Sequence, residues 1–199
     1  MAQKKIGVLA LQGDFEAHER ALERAGAQAV EVRSAEDLRD VDGLIIPGGE
    51  SSTMMKLLEE ERLLEPIEEF GQRKPIFGTC AGAILLAKDV TNPAQKSLGL
   101  MDISVERNAY GRQLDSRIAR LQPEGFEKDL EAVFIRAPII RRAGPNARVL
   151  AEYQGDPVLV EQGRHLAATF HPELTADPRV HLIFLRKILC SDAGGQPLE

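Results

Sequence analysis

Runs of consecutive apolar residues alternate with amphipathic segments through the first half of the chain. These runs, typical of short strands buried on both faces, are residues 5–11, 29–32, 43–46 and 75–77. Because segments with helical spacing separate them, we predict right-handed crossovers between parallel strands. The expected fold class is α/β, with a mostly parallel central sheet flanked by helices in a three-layer sandwich.

The helical segments are marked by their spacing and by their ends. Residues 15–25 repeat apolar side chains along one side and stop at Gly26, a candidate C-terminal cap. Ser51 or Ser52 is expected to cap the helix that follows residues 43–46. Both helices would therefore connect consecutive strands of one sheet.

The second half of the chain changes to short β-like runs. We expect them to extend the sheet, and they are residues 103–106, 117–121, 132–135, 149–153, 157–161 and 166–170. Residues 180–189 have the spacing of a closing helix. Without a repeat or a long linker, we predict one domain over residues 1–190 and a flexible C-terminal tail over residues 191–199.

Composition and charge narrow the classes of function. With 199 residues and 43% hydrophobic side chains, the chain can bury one sizeable core. A net charge of −6, with both signs interspersed, attracts a polyanion weakly, so we expect no nucleic-acid partner. The first apolar run ends at Gln12, too early for a signal peptide or a membrane span. Cys80 and Cys190 are too few for a disulfide framework, and we predict a cytoplasmic protein with no membrane partner.

The segment from Gly78 to Gly82 has the form of a nucleophile elbow with cysteine at its centre. Its sequence is Gly-Thr-Cys-Ala-Gly, between an apolar strand and an apolar helix. Such a turn strains its central residue, and side chains at the glycine positions would collide with strand and helix. Cys80 would project at the carboxyl end of the sheet, where a helix N-terminus stabilises a thiolate. We expect a nucleophile; an inert buried thiol is the alternative for these residues alone.

A thiol nucleophile needs a base, and His171 stands apart among the four histidines. It follows the apolar run 166–170, and Pro172 separates it from Glu173. In an extended His-Pro-Glu segment both functional side chains project on the same side. Glu173 can then hold one imidazole nitrogen while the other faces Cys80. An isolated His-x-Glu is more often a surface pair, but together with the elbow it favours a Cys-His-Glu triad.

A second glycine turn, Pro47-Gly48-Gly49, follows the strand predicted at residues 43–46. Acyl transfer to sulfur needs two N–H donors for the oxyanion, and we assign them to Gly49 and Ala81. A phosphate cradle is disfavoured because no Lys-Ser/Thr pair follows these glycines and no GxGxxG is present. An ordinary βα turn stays open as an alternative.

The three elements PGGES, GTCAG and HPE, in this order, resemble the triad glutamine amidotransferase family over almost the whole chain. The segments GVLALQGD, PGGESSTM, FGTCAGAILLAK, VERNAYGRQLDS, FIRAP and TFHPELT look most like the glutaminase subunits of pyridoxal phosphate synthases. The resemblance implies hydrolysis of L-glutamine to L-glutamate and ammonia through a cysteine thioester. The ammonia would pass to a separate synthase subunit for pyridoxal 5'-phosphate (vitamin B6) biosynthesis. We expect no metal and no cofactor.

The resemblance also implies roles for single residues. Cys80, His171 and Glu173 match the catalytic triad. The glutamine-binding positions match Gly49, Glu50, Ser51, Arg107, Ile135 and Arg136. Free glutamine is a zwitterion whose carboxylate needs a cation, and either arginine could supply it; without the resemblance each would be a surface charge. No role is implied for His18, His165 and Cys190.

Two other functions are alternatives to this one: another elbow-cysteine hydrolase of related fold, or a glutaminase subunit that serves a different synthase. A catalytically silent scaffold is disfavoured, because it would have no need of an intact triad. In a parallel sheet, the loops at the carboxyl ends of the strands surround the active site. We therefore predict that a partner docks on residues 12–14 and on the first helix through His18. We also expect the glycine turn to change peptide orientation when the partner binds.

Overall fold

The computed structural model describes residues 3–108 and 116–192, with backbone alone at residues 191 and 192. The strands are β1 (Lys5–Leu9), β2 (Gln28–Val32), β3 (Gly43–Ile46), β4 (Ile76–Thr79), β5 (Ala87–Thr91), β6 (Met101–Glu106), β7 (Ser116–Leu121), β8 (Leu130–Ile135), β9 (Ile139–Ala143), β10 (Arg148–Tyr153), β11 (Asp156–Gln162) and β12 (His165–Ala168). The helices are α1 (Phe15–Arg24), α2 (Ser51–Glu60), α3 (Leu64–Arg73), α4 (Ala81–Leu86) and α5 (Arg179–Asp192), and a 3₁₀ turn spans Pro172–Leu174.

A seven-stranded sheet in the order β10-β11-β12-β4-β3-β1-β2 forms the centre of the molecule. The five strands from β12 to β2 are parallel, whereas β10 and β11 join one edge in antiparallel pairs. This arrangement places the carboxyl ends of β3, β4 and β12 side by side. The loops that follow these three strands carry the candidate site.

Both faces of the sheet are covered, which is why its strands are apolar at consecutive positions. In β3, Ile45 packs in one core cluster, while Leu44 and Ile46 pack in the other. Helices α1 and α5 contribute to the first cluster, and helices α2, α3 and α4 contribute to the second. The result is the predicted three-layer arrangement, in which successive strand residues are buried on opposite sides.

Three of the runs predicted to extend the sheet do not join it. Strand β6, which contains residues 103–106, lies between β5 and β9 in a separate three-stranded sheet. Strands β7 and β8 pair only with each other in the described residues. Their inward residues Ala119, Leu121 and Phe134 pack on the core cluster that α1 and α5 also enter. The β7–β8 hairpin therefore covers the sheet, so this part of the prediction is wrong.

The helix ends show one agreement and one correction. As predicted, α1 stops before Gly26, which has a φ of +84° and donates its N–H to the carbonyl of Glu23 at 3.0 Å. The cap of α2 is Glu50 rather than Ser51 or Ser52. Its carboxylate reaches two N–H groups of the first turn, whereas Ser51 is already the first helical residue.

The end of the chain agrees only in part with its predicted form. Helix α5 continues through Asp192, and the remainder of the predicted tail, residues 193–199, lies outside the described residues. Among residues 3–108 and 116–192, no helix combines the length and apolar character that crossing a membrane requires.

Candidate active site

Cys80 occupies the sharp turn between β4 and α4. Its φ is 49° and its ψ is −104°, a strained conformation for a residue with a side chain, and its N–H donates to the carbonyl of Ala168 at 2.8 Å. A Cβ atom at Gly78 would lie 2.8 Å from the backbone N of Ala83, and one at Gly82 would lie 2.9 Å from the carbonyl carbon of Ile46. Both glycines are thus required by close approach, and the predicted elbow is present.

His171 and Glu173 meet just beyond β12. Nδ1 of His171 lies 2.6 Å from Oε1 of Glu173, and both residues are buried. The expectation of an extended His-Pro-Glu segment is wrong, since Pro172–Leu174 forms a 3₁₀ turn. The N–H of Leu174 donates to the carbonyl of His171 at 3.3 Å and closes this turn. The two side chains meet because the chain folds back at the proline.

The electrostatics of the pair favour a charged imidazole. Burial would lower the pKa of His171, but hydrogen bonds and charge from Cys80 and Glu173 outweigh it and raise this pKa to about 10. Burial would likewise raise the pKa of Glu173, but the His18 ring and the hydrogen bond with His171 lower it overall. The ring therefore carries a proton at neutral pH, which suits a thiolate nucleophile beside it.

The glycine turn after β3 lies against His171 and Cys80. A Cβ atom at Gly48 would lie 3.1 Å from Nδ1 of His171 and 3.3 Å from Cβ of Cys80. A Cβ atom at Gly49 would lie 2.6 Å from Oε1 of Gln12, which also accepts the N–H of Glu50 at 3.2 Å. Ala81, the other predicted oxyanion donor, is the first residue of α4 and is buried. The turn and the elbow thus face each other across Cys80.

Glu50 and Arg107 form an ion pair beside this turn. Nη2 of Arg107 lies 3.3 Å from Oε1 of Glu50 and donates to Oγ of Ser52 at 2.5 Å. Only 10% of the Arg107 side chain is exposed, and its Nε has no partner within the part of the chain that the structure describes. Ser51 is buried and donates its hydroxyl to Oε1 of Gln95 at 3.0 Å. The remainder of the VERNAYGRQLDS segment through residue 115 lies outside the described residues.

Ile135 and Arg136 approach the site from the end of β8. The carbonyl oxygen of Ile135 lies 4.0 Å from Sγ of Cys80. Arg136 follows in a left-handed conformation, with a φ of 44°, and its side chain is exposed. The backbone of this pair is therefore close to Cys80, while the Arg136 side chain extends towards solvent.

The sequence did not predict that several further polar side chains lie beside the site. They are Gln12, Ser52, Thr79, Gln95, His18 and His181. His18 is fully buried, so its predicted place in a docking surface is wrong. Helical spacing puts it on the same side of α1 as Ala21 and Leu22, and that pattern could have indicated burial.

Comparisons with known proteins identify the family. Residues 8–190 match the SNO glutamine amidotransferase family. A relative from Solibacter usitatus (strain Ellin6076), described as pyridoxal 5'-phosphate synthase subunit PdxT, is 66% identical over 191 residues, with 93% of this chain and 100% of the relative covered. The protein of the same description from Koribacter versatilis (strain Ellin345) is 56% identical, with 96% and 98% covered.

A solved structure described as a glutamine amidotransferase superposes with a TM-score of 0.86 at 48% identity. The superposition covers 92% of this chain and 98% of the other, and it confirms the α/β fold class. Because the family match and both relatives extend over nearly the full length, the chain belongs to the SNO glutamine amidotransferase family.

Proposed function

We propose that this chain is a glutaminase that hydrolyses L-glutamine to L-glutamate and ammonia and delivers the ammonia to the synthase subunit of pyridoxal 5'-phosphate synthase. The observation that carries the proposal is a strained Cys80 next to a His171–Glu173 pair joined at 2.6 Å. The description of two close relatives as synthase subunits supports this choice of partner. A cytoplasmic location and a single domain over residues 1–190 belong to the same proposal.

The reaction follows from the order of the three side chains. The Cys80 thiolate attacks the side-chain amide carbon of glutamine, and the N–H groups of Gly49 and Ala81 bind the oxyanion. His171 gives its proton to the amide nitrogen, so the carbon–nitrogen bond breaks and ammonia leaves a thioester on sulfur. His171 then takes a proton from the water that attacks the thioester, and glutamate leaves as the Cys80 sulfur is released.

Glu173 keeps the imidazole in the orientation that both steps need. Its carboxylate accepts a hydrogen bond from Nδ1–H, which leaves the other ring nitrogen for Cys80 and for the leaving group. Because both residues are buried, solvent cannot replace this contact at low cost.

Recognition of glutamine requires partners for its carboxylate and its ammonium group. Arg107 and Glu50 present opposite charges beside the glycine turn, which matches the two ends of a zwitterion. Ile135 contributes its backbone next to Cys80, and Ser51 fixes the first turn of α2 through Gln95. Arg136 is the second cation assigned to the glutamine carboxylate.

Ammonia release from glutamine, measured with and without a purified synthase subunit, tests the proposal. We expect slow hydrolysis by the isolated chain and a gain of about tenfold or more with saturating synthase, equivalent to about 1.4 kcal/mol of barrier. Equal rates would remove the proposed switch in the glycine turn and leave the triad intact. No hydrolysis of glutamine in either condition, with cleavage of peptides instead, would contradict the glutaminase assignment.

Covalent labelling tests the nucleophile directly. A diazo-ketone analogue of glutamine should modify Cys80, while the exposed Cys190 in the same molecule serves as the internal control. Equal labelling of both thiols would indicate that the reagent reacts with any thiol it can reach, and that the site does not activate Cys80. A panel of different synthase subunits in the ammonia assay then separates pyridoxal phosphate synthesis from service to another synthase.

A further inference from the structure

A chain of buried polar side chains continues from Glu173 away from Cys80. Nε2 of His18, on α1, lies 3.4 Å from Oε2 of Glu173 and 3.0 Å from Oγ1 of Thr79. On the other side of the ring, Nδ1 of His18 lies 3.1 Å from Nε2 of His181, on α5. His18, Thr79 and His181 are each 0% exposed. Three elements thus bring their polar groups together behind the triad.

Two atoms in this series of buried polar side chains determine which ring nitrogens carry protons. Oε2 of Glu173 and Nδ1 of His181 are buried and have no hydrogen-bond partner among the described residues. If Nδ1 of His181 carried the proton, a buried donor would be left without an acceptor, which is more costly than an unpaired ring acceptor. We therefore place the proton of His181 on Nε2, where it is donated to His18.

This assignment sets the tautomer of His18. Its Nδ1 accepts from His181, so its single proton sits on Nε2, which donates to Oγ1 of Thr79 and lies 3.4 Å from Oε2 of Glu173. Burial lowers the pKa of His18 and lowers that of His181 to about 3, so both rings are neutral at neutral pH. The charged groups near them are Glu173, His171, Asp14 and, for His181, Arg24. The donors run in one direction, from His181 to His18 and from His18 to Thr79, beside the Glu173 carboxylate.

We propose that His18 is a positioning residue of the triad: its Nε2–H, fixed by Thr79 and by the tautomer that His181 sets, lies 3.4 Å from the second carboxylate oxygen of Glu173 and favours one orientation of that carboxylate. The inference rests on the proposed glutaminase function and adds a residue to it. A carboxylate hydrogen-bonded at Oε1 alone can rotate about its last torsion, whereas a ring N–H beside Oε2 attracts that oxygen and favours the orientation that keeps Oε1 opposite Nδ1 of His171. Apolar side chains could fill the same space without burying two imidazole rings, so packing alone gives no reason for them.

Two amide substitutions separate this role from packing. In His18→Gln the side-chain amide reaches the position of Nε2, and in His18→Asn it reaches only the position of Nδ1. Both are compared with His165→Gln, which alters a buried histidine at the opposite end of β12 that accepts the N–H of Ile76 at 3.2 Å. Steady-state glutamine hydrolysis is measured for each variant with saturating synthase subunit, together with the thermal unfolding midpoint.

We expect His18→Asn to lower kcat by roughly 10- to 100-fold with KM nearly unchanged, because misplacing a catalytic group costs turnover rather than binding. His18→Gln should recover most of that loss, and His165→Gln should keep the wild-type kcat. Equal kcat values for the Asn and Gln variants, or a change in KM alone, would overturn the proposal. Loss of folding in His18→Asn leaves the comparison of His18→Gln with His165→Gln, where a lower kcat in both would indicate a packing role.

A double-mutant cycle tests whether His18 acts through Glu173. In a Glu173→Gln background, the effect of His18→Asn on kcat should fall to less than about twofold, since the carboxylate it positions is gone. An undiminished effect would show that His18 acts independently of the carboxylate. The wild-type protein in the same assay distinguishes failure of the glutaminase function from failure of the positioning role. If the wild-type protein does not hydrolyse glutamine, the function is refuted. If His18→Asn hydrolyses glutamine at the wild-type rate, only the positioning role is refuted.

Discussion

Replacing Glu173 by glutamine keeps the size of the side chain and removes the charge that faces His171. The two groups lie 2.6 Å apart, with side-chain exposures of 0% for Glu173 and 9% for His171. A charge-assisted hydrogen bond is roughly twice as strong as a neutral one, and burial prevents water from replacing it. Loss of the equivalent charge in a serine triad costs about 10⁴ in turnover, so we expect a loss on the order of 10² to 10⁴.

The surroundings of Glu173 place this loss in the upper part of the range. That range corresponds to roughly 3 to 6 kcal/mol at about 1.4 kcal/mol for each factor of ten. The glutamine amide carries a donor on one side and an acceptor on the other. If its nitrogen takes the place of Oε2, it meets the Nε2–H of His18, and if it takes the place of Oε1, it meets the Nδ1–H of His171. Either orientation opposes one donor with another.

The assay is steady-state ammonia release with saturating synthase subunit, and the control is Glu131→Gln, which makes the same chemical change at an exposed position on β8. KM for glutamine should change little, because Glu173 acts on His171 rather than on the substrate. The unfolding midpoint of each variant separates lost turnover from lost structure. A loss of turnover below about threefold in a folded Glu173→Gln protein would refute the orientation argument and make Glu173 a structural residue.

Three further outcomes are expected. Cys80→Ala should abolish ammonia release while Cys190→Ala stays near wild type, since the thioester forms on one sulfur; substantial activity in Cys80→Ala would remove the triad. Arg107→Ala or Arg136→Ala should raise KM more than it lowers kcat in steady-state kinetics, and the reverse pattern would indicate a role in the chemical step or the partner interface. Burial, together with the charges of Arg164 and Lys187, lowers the pKa of His165 to about 4. Between about pH 7 and pH 4 the unfolded chain therefore binds a proton at His165 that the folded chain does not bind, so the free energy of unfolding falls as the pH drops through this range. Urea unfolding at pH 8 and pH 5 should differ by about 2 kcal/mol from this residue, and His165→Gln should remove that part of the difference.

The sequence by itself determined the features that depend on near neighbours along the chain. The elbow is local, because the glycines on either side of Cys80 allow a turn that other residues would block. The apolar runs of β1, β3 and β4 indicated strands covered on both faces, and the order of the three motifs was sufficient for the family. His171 and Glu173 could be paired because one proline separates them, although the 3₁₀ form of that turn was not anticipated.

Only the tertiary structure decided which distant residues meet. Strands β7 and β8 have the same alternation as sheet strands, and their separate pairing depends on the core they cover rather than on their own residues. The carboxylate of Glu50, which caps α2, is also contacted by Arg107, 57 residues further on. His18 and His181 lie 163 residues apart and meet because α1 and α5 pack on the same face of the sheet. Periodicity along a helix or strand predicts which of its side chains are buried. The partner of a buried polar group depends instead on how whole helices and strands pack against one another.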